Sequence, residues 1–567
     1  MKHNISYNAS DCEAKLTRII YPDSAIAKKT SCGRTKAESI VTDVLGPKSV
    51  QQIVDELTGD NCMMPAKFSI ATDASNVKNR KMFPVCLQYF TIESGINNKL
   101  LDFVELNDEH SQAVAKMMLK SLSENNLDIK QVSSYAADNA SVNYGVRQSV
   151  FTELKRENGS ILKANCNAHV SHNTLRKAAD VLKCDIETVI TSVYSHFSVS
   201  ANRRIQLVDF FEFVDVEYHE LLRHVPTRWL SLGPAIDRLL DSWIPVVSYF
   251  VSLGEECPKR VEDKLGITDQ DHDCYSTSVQ RTKAYLYFAQ NLCTVFETSV
   301  KEIEKNDFTL CELYPIMEQV RSKIESRLKD NFFSAGALKI LSSAQFAGIA
   351  NAVEHDFCSA LQVALDYIDK WFFSSSALAV ELHKVSLNAM PEFVNLTKVC
   401  ELMGLSVDVD SLYDEFSQTR HILSKVVTDS KAQSLSASAR WQEYFKACKV
   451  SGVTPRYMFH VISAVLSIPG SNAFAERSFS MMNAKWRADR NRALVKLIKA
   501  ELQVSLNFQM KCHEFYEYAL ADHKLLTAAA SGQKYYWRKA KAVVHVKSPA
   551  VATASAAAND ETTGGDD

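Results

Sequence analysis

In Phe68-Ser69-Ile70-Ala71-Thr72-Asp73-Ala74-Ser75, a short apolar run ends at an acidic residue. The pattern predicts a β-strand at residues 68–72 with Asp73 at its end. A second run, Tyr135-Ala136-Ala137-Asp138-Asn139, repeats the arrangement and predicts a strand at residues 132–137. A single aspartate at such a junction usually caps a turn. Two aspartates at the ends of neighbouring strands would instead suit a divalent metal ion.

The residues around these two runs predict three further strands and three helices. The strands are expected at 85–92, 99–106 and 161–166, and the helices at 111–123, 144–156 and 169–182. Residues 93–98 read Glu-Ser-Gly-Ile-Asn-Asn, a turn segment suited to a hairpin. The resulting order, β-β-β-α-β-α-β-α, is the order of the α/β ribonuclease-H-like fold. In that fold the first and fourth strands lie side by side, so Asp73 and Asp138 would face each other across one metal site.

The pattern changes to long helices from about residue 238 to residue 455, which predicts an all-α insertion. Examples are expected at 278–303, 312–328, 360–371 and 435–446. An apolar helix at 457–467 should stop at Ile468-Pro469-Gly470. Ser471 or Asn472 can cap the next helix, which carries Glu476, and a last helix is expected at 494–508. Taken alone, Glu476 would be an ordinary acid in the first turn of a helix.

Composition limits the class of protein. The 567 residues are 46% hydrophobic and 23% charged, which is globular and predicts two or three domains. The formal net charge of −3 and the pI of about 6.6 predict only modest nonspecific affinity for DNA. No run approaches the roughly 18 apolar residues of a membrane span, and the first residues do not resemble a signal peptide. The 14 cysteines are scattered, and without a secretory signal reduced thiols are expected. No Cys-x-x-Cys pair occurs, which excludes the commonest zinc-finger spacing.

Four separated motifs, in this order, resemble those of the hAT-superfamily DNA transposases and of host proteins derived from them. They are Thr72-Asp73, then Asp138-Asn139 followed by Cys166-Asn167-Ala168-His169, then Thr227-Arg228-Trp229, and finally Ser471-Asn472-Ala473 with Glu476-Arg477, Phe479-Ser480 and, downstream, Arg490-Asn491-Arg492. The resemblance runs from about residue 28 to residue 510, which is most of the chain.

The resemblance implies an Asp-Asp-Glu triad, Asp73, Asp138 and Glu476, that binds two Mg²⁺ or Mn²⁺ ions and catalyses DNA strand cleavage and transfer. It further implies that His169, Arg228 and Trp229 contact DNA. Trp229 would stack on an extruded base, although a core anchor is an equal alternative for such a tryptophan. Cys166, His169 and His172 fall near one helical face, but no fourth ligand is evident, so no zinc site is predicted.

The family pattern also divides the chain. We expect an N-terminal helical or irregular region at 1–62, followed by the first part of the ribonuclease-H-like core at 63–237 and the insertion at 238–455. A C-terminal hAT dimerisation segment at 456–512 would complete the core. A basic-aromatic helical end at 513–548 and a disordered tail at 549–567 would follow. Residues 533–541 interleave aromatic and cationic side chains, which would suit nucleic acid, nuclear import or a solvated helix end.

Two functions are open at this stage. One is a metal-dependent transposase-derived nuclear protein, possible in the cytoplasm too, that binds DNA. The other is a catalytically idle, domesticated protein that acts through dimerisation and protein or DNA binding. The intact triad favours the first. The second is favoured by the acidic balance and by the expected lack of a BED-type zinc finger, since no Cys-x-x-Cys pair precedes Asp73.

A dimer would use the C-terminal segment, where Phe474, Phe479, Met481 and Met482 suit either self-association or a core.

Overall fold

A computed structural model describes residues 5–58, 66–77, 79–225, 231–267, 275–490 and 492–535. Within these ranges the chain is a mixed α/β protein in which helices greatly outnumber strands. None of the helices in the described ranges combines the length and the apolarity that crossing a bilayer requires.

Four helices precede the sheet. They are α1 (Tyr7–Ile20), α2 (Ala25–Lys29), α3 (Arg34–Ile40) and α4 (Gly46–Thr58), with a π-helical turn over Val41–Leu45 between the last two. Ser6 and Ser24 begin α1 and α2 by accepting hydrogen bonds from backbone N–H groups of the first turn. The sequence predicted a helical or irregular region at 1–62, and most of its described residues are helical.

The mixed sheet has six strands among the described residues: β1 (Phe68–Ala71), β2 (Ser75–Val77), β3 (Arg80–Thr91), β4 (Gly95–Glu105), β5 (Val132–Ala137) and β6 (Leu162–Asn165). β4 pairs with one edge of β3, and β1 and β2 pair with its other edge, all antiparallel. β5 then pairs with β1, and β6 with β5, both parallel. The predicted adjacency of the first strand and the strand at 132–137 is therefore confirmed.

Helices fill the connections and most of the remaining described residues. Those up to residue 265 are α5 (Ser111–Glu124), α6 (Ser141–Tyr144), α7 (Val150–Glu157), α8 (Asn167–Asp180), α9 (Ile186–Ser198), α10 (Ala201–Phe213), α11 (Leu232–Asp241), α12 (Trp243–Ser252) and α13 (Lys259–Leu265). The helix predicted at 144–156 begins later than expected, as α7 at Val150, because Gly145 leaves the helical conformation after α6 and Ser149 caps the new helix with Thr152.

The long helices predicted from about residue 238 are present, several with longer bounds. They are α14 (Thr277–Ile303), α15 (Leu313–Lys329), α16 (Ala335–Leu341), α17 (Ala350–Trp371), α18 (Ala377–Lys384), α19 (Phe393–Met403), α20 (Val409–Thr428), α21 (Ser430–Gln433) and α22 (Ala437–Val450). The chain continues through α23 (Arg456–Ser467), α24 (Ala473–Lys485), α25 (Val495–Asn507), α26 (Cys512–Ala521) and α27 (His523–Ala530).

Both faces of the sheet are covered, so β3 is buried continuously from Met82 to Phe90. Alternate residues point to opposite faces. Tyr135 and Ala137 join one apolar cluster with residues of α4, α5 and α7, whereas Ala136 and Phe90 join the larger cluster that includes the long helices. The sheet is therefore enclosed between two layers of helices.

The chain divides into two compact units. The larger contains residues 50–495 and so holds the sheet and the long helices. The smaller contains residues 1–49 and 496–567, and in its described part Val41, Ala500, Val504 and Phe508 form an apolar cluster. Lys48 pairs with Asp522 at 2.7 Å within the same unit. The predicted boundaries at 62 and 512 remain predictions.

Candidate functional site

Asp73 lies immediately beyond the carboxyl end of β1. Thr72 holds this strand end in place, because its N–H donates to the Ala136 carbonyl at 3.2 Å and its Oγ1 donates to the Pro84 carbonyl at 2.7 Å. One oxygen of Asp73 accepts the N–H of Ala74 at 2.8 Å. The side chain is thus held by the turn that follows β1, which is the role that a single aspartate usually has at such a junction. The charge of Asp138, at the end of β5, also acts on it.

Asp138 occupies the matching position on β5. Ala71 pairs with Ala136, and each aspartate follows its member of that pair by the same interval. Oδ1 of Asp138 accepts the N–H of Ala140 at 3.2 Å and the Nδ2–H of Asn143 at 2.5 Å. Asn143 is itself oriented, since its Oδ1 accepts the Tyr135 hydroxyl at 2.8 Å. These contacts direct one oxygen of Asp138 into its own loop.

The end of β6 adds a third functional residue to the same edge of the sheet. Cys166 follows β6 directly, and its N–H donates to the Ala137 carbonyl at 3.2 Å. It is buried and precedes α8, whose first turns carry His169 and His172. Because parallel strands end at one edge, the chain positions after β1, β5 and β6 meet there.

Glu476 reaches this edge on the first turn of α24. The entry to that helix is held by Asn472, which is 1% exposed. Its Nδ2 donates to the Thr72 carbonyl at 3.0 Å, its N–H donates to Cys166 Sγ at 3.2 Å, and its carbonyl accepts the N–H of Glu476 at 3.3 Å. Asn472 therefore links the ends of β1 and β6 to the helix that carries Glu476.

Two further contacts hold α24. Asn167 donates through its Nδ2 to the Gly470 carbonyl at 3.0 Å, just before the helix. On the other side, Arg477 donates to the Glu304 carbonyl at 2.9 Å and to the side chain of Asn306, beyond the end of α14. The orientation of Glu476 thus depends on the sheet and on the long helices together.

The three acids influence one another. Burial, followed by the charges of Asp138 and Glu476, raises the pKa of Asp73 to about 6, although the hydrogen bond from Ala74 opposes this. Asp73, Asp138 and Glu476, which the sequence predicted as a triad, are therefore brought into one electrostatic environment. Each is partly exposed, so the group is accessible from solvent.

The chain matches no model of a known protein family and no characterised protein.

His169 lies beside the acids. A hydrogen bond to the Cys166 sulfur, reinforced by the charges of Cys166, Glu476 and Asp138, raises the pKa of His169 to about 10. Its Nδ1 lies 3.6 Å from Oε1 of Glu476. His172 is different, because burial and the charge of His169 lower its pKa to about 4. At neutral pH His169 is thus a cation at the site, whereas His172 is neutral.

Not every predicted site residue can be located. Arg228 and Trp229 lie outside the described residues, as does Asn491 of the downstream motif. Asn143 and Asn472 were not predicted as positioning residues. Ser471 or Asn472 was expected to cap α24, and Asn472 occupies the N-cap position. Its side chain makes no capping hydrogen bond and donates to the Thr72 carbonyl instead.

Two of the four C-terminal residues that suit self-association are buried within the chain itself. Phe479 is 8% exposed and Met482 is fully buried, whereas Phe474 and Met481 are partly exposed. Burial of the first two agrees with the alternative that they belong to the core, and dimerisation stays a prediction.

The raised pKa of Asp73 predicts that Asp73→Asn stabilises the metal-free protein at alkaline pH. The folded-state pKa of about 6 exceeds the ordinary value of 3.8, so the folded state binds the proton more tightly and the protein loses stability as pH rises between those values. Discounted for partial exposure, the gain should be about 1–3 kcal/mol at about pH 8 and should vanish near pH 4. Urea unfolding in EDTA at both pH values measures it.

The exposed Asp414 on α20 provides the control, because Asp414→Asn should leave the unfolding free energy nearly unchanged at both pH values. An equal effect of Asp73→Asn at both pH values would show that the carboxyl charge is not responsible.

Proposed function

We propose that this chain has a ribonuclease-H-like catalytic core and that it cleaves and transfers DNA strands with divalent metal ions, as the hAT transposases it resembles do. The observation that carries the proposal is the meeting of Asp73, Asp138 and Glu476 at one edge of the sheet. Two of these acids follow adjacent parallel strands, and the third returns on a helix far along the chain.

The strand order supports the proposed fold. An antiparallel group of β4, β3 and β1 is followed across the sheet by the parallel strands β5 and β6. The sequence predicted one feature of this arrangement, the adjacency of the first strand and the strand at 132–137. β2 is an additional short strand, and the long helices lie between the second aspartate and Glu476.

The donor set suits Mg²⁺ or Mn²⁺. These hard cations prefer carboxylate oxygens, and Asp73, Asp138 and Glu476 would hold them. The raised pKa of Asp73 reflects burial beside two further acids, and a bound cation would relieve the repulsion between these charges. When bound, such ions activate the attacking oxygen and stabilise the leaving oxygen of a phosphodiester.

The protein groups around the acids support a phosphate substrate. His169 carries a positive charge at neutral pH because its pKa is raised to about 10. A cationic imidazolium is a donor that can bind a phosphate oxygen. Asn143 and Asn472 would keep Asp138 and Glu476 in position when DNA binds, since their own side chains are fixed by hydrogen bonds.

The test is DNA cleavage by the purified full chain. With Mn²⁺ we expect nicking of a labelled duplex with an exposed end, no nicking in EDTA, and loss of nicking in Asp73→Asn. Asp414→Asn, purified identically, should retain the wild-type rate. Cleavage that persists in Asp73→Asn would indicate a contaminating nuclease, and absence of Mn²⁺-dependent cleavage in the wild-type chain would overturn the proposed activity.

A further inference from the structure

We propose that Cys166, His169 and Glu476 form a binding site for a zinc-class metal ion. We further propose that an ion bound there withdraws Glu476 from Asp73 and Asp138, a consequence that rests on the proposed function. The sequence placed Cys166, His169 and His172 near one helical face but predicted no zinc site. In the structure Glu476, and not His172, joins Cys166 and His169 among the described residues.

The geometry needs little adjustment. One potential ligand atom from each of the three residues lies within 4.8 Å of the other two. Nδ1 of His169 and Oε1 of Glu476 are 3.6 Å apart. Ligand atoms that share a tetrahedral zinc ion at its usual bond lengths are about 3.3–3.8 Å apart. Small rotations of the half-exposed His169 and Glu476 side chains would therefore bring the three donors onto one ion.

The donor chemistry selects zinc over magnesium. A thiolate and an imidazole are ligands for Zn²⁺ and related ions, whereas Mg²⁺ prefers oxygen. Three protein ligands would leave the fourth tetrahedral position open. Glu476 and His169 side chains are 39% and 35% exposed, so that position can face solvent while Cys166 stays buried.

The surroundings of two ligands fit this role. Nδ1 of His169 is buried, makes no hydrogen bond and lies 3.6 Å from Oε1 of Glu476, so an ion bound between them would replace the ring proton as the partner of this nitrogen. The N–H of Asn472 donates to Cys166 Sγ at 3.2 Å, a contact that fixes the position of the sulfur. Cys166 occupies the N-cap position of α8, three residues before His169.

The same Glu476 would serve two sites. A carboxylate that binds zinc together with Cys166 and His169 would not be free to bind a second cation with the pair of aspartates. Zinc should therefore act as an inhibitor of Mn²⁺-dependent cleavage, and the availability of Glu476 would depend on which metal is present.

Cobalt binding tests the site directly. Co²⁺ added to the EDTA-treated full chain should give a thiolate-to-cobalt charge-transfer band that Zn²⁺ abolishes. Cys166→Ser should abolish this band because it removes the thiolate, and His169→Gln, which keeps the thiolate, should lower the apparent Co²⁺ affinity by at least about tenfold. Cys400→Ser, a buried cysteine of α19, is the matched control and should retain the band. An unchanged band in folded Cys166→Ser or His169→Gln would overturn the site.

Inhibition tests the consequence separately. Zn²⁺ at the concentration that displaces Co²⁺ should lower the Mn²⁺-dependent cleavage rate at least about tenfold, and the ratio of rates with and without zinc should move toward one in His169→Gln. A cobalt band without any cleavage activity would overturn the proposed function and leave the metal site standing. Cleavage that zinc does not affect, together with the cobalt band, would overturn the shared use of Glu476.

Discussion

Glu476→Gln is expected to lower the Mn²⁺-dependent DNA cleavage rate by more than about 100-fold, because removing even an outer-shell partner of a metal site commonly costs 10–100-fold. Glutamine keeps the size of the side chain but removes the charge that would bind the cation. The measurement is the initial rate of nicking by the purified full chain.

The structure explains why this distant residue should matter. Asn472 connects the entry of α24 to the Thr72 carbonyl and to Cys166, and Arg477 fixes the next position against the end of α14. Glu476 is therefore held beside the two aspartates by both the sheet and the long helices. Its charge already contributes to the raised pKa of Asp73.

Glu443→Gln is the matched control, because Glu443 lies on α22 and pairs only with Lys446 among its described contacts, at 3.4 Å. That variant should keep the wild-type cleavage rate, since an exposed pair contributes about 0–1 kcal/mol to stability. Circular dichroism should show both variants folded. A Glu476→Gln protein that cleaves within a factor of about three of wild type would remove Glu476 from the catalytic group.

Trp441→Ala is expected to lower the free energy of unfolding by about 3–5 kcal/mol, the usual cost of truncating a buried tryptophan. Trp441 is fully buried in α22, and its Nε1–H donates to the Val385 carbonyl at 2.9 Å. The substitution would leave a cavity and an unpaired buried carbonyl. Urea unfolding followed by circular dichroism measures the loss.

The effect should extend to the candidate site. The Trp441 ring contacts Tyr444 and Phe445, and Phe445 contacts both Phe90 of β3 and Phe459 of α23. α23 leads directly to the segment that positions Glu476. We therefore expect Trp441→Ala to reduce cleavage as well as stability, because it loosens the helix layer against the sheet.

Two variants sharpen this prediction. Trp441→Phe keeps part of the ring and should lose about 1–2 kcal/mol. Trp371→Ala removes a tryptophan that is only partly buried, at the end of α17, and should cost less than half as much as Trp441→Ala. Equal losses at positions 441 and 371 would contradict the assigned role of Trp441.

Local sequence predicted a strand or helix correctly where burial of an apolar run or an apolar face was the main requirement. The run ending at Asp73 and the run ending at Asp138 predicted β1 and β5, because buried strands need short apolar runs and polar residues follow them. The long helices were predicted for the same reason, since an apolar face repeats at helical spacing. The helix predicted at 144–156 begins only at Val150. Apolar residues at helical spacing extend before the Ser149–Thr152 capping box, and spacing alone does not show where a cap begins the helix.

Contacts between distant segments were beyond that reasoning. Nothing local indicated that Asn472 donates to the Thr72 carbonyl, or that Glu476 lies closer than His172 to the ligand atoms of Cys166 and His169. The short strand β2 was missed because it pairs only with the beginning of β3 and has no apolar run of its own.

The sequence by itself predicted five of the six described strands, the long helices and the two aspartates at strand ends, because apolar periodicity and turn residues act over a few neighbouring positions. Only the tertiary structure decided that the ends of β1, β5 and β6 meet at one edge and that α24 brings Glu476 to them. That convergence depends on strand pairing and on packing between residues far apart in the chain, and neither leaves a local pattern. The run ending at Asp73 thus encodes a strand end, and the fold brings this residue to the edge of the sheet where Asp138 and Glu476 influence its pKa.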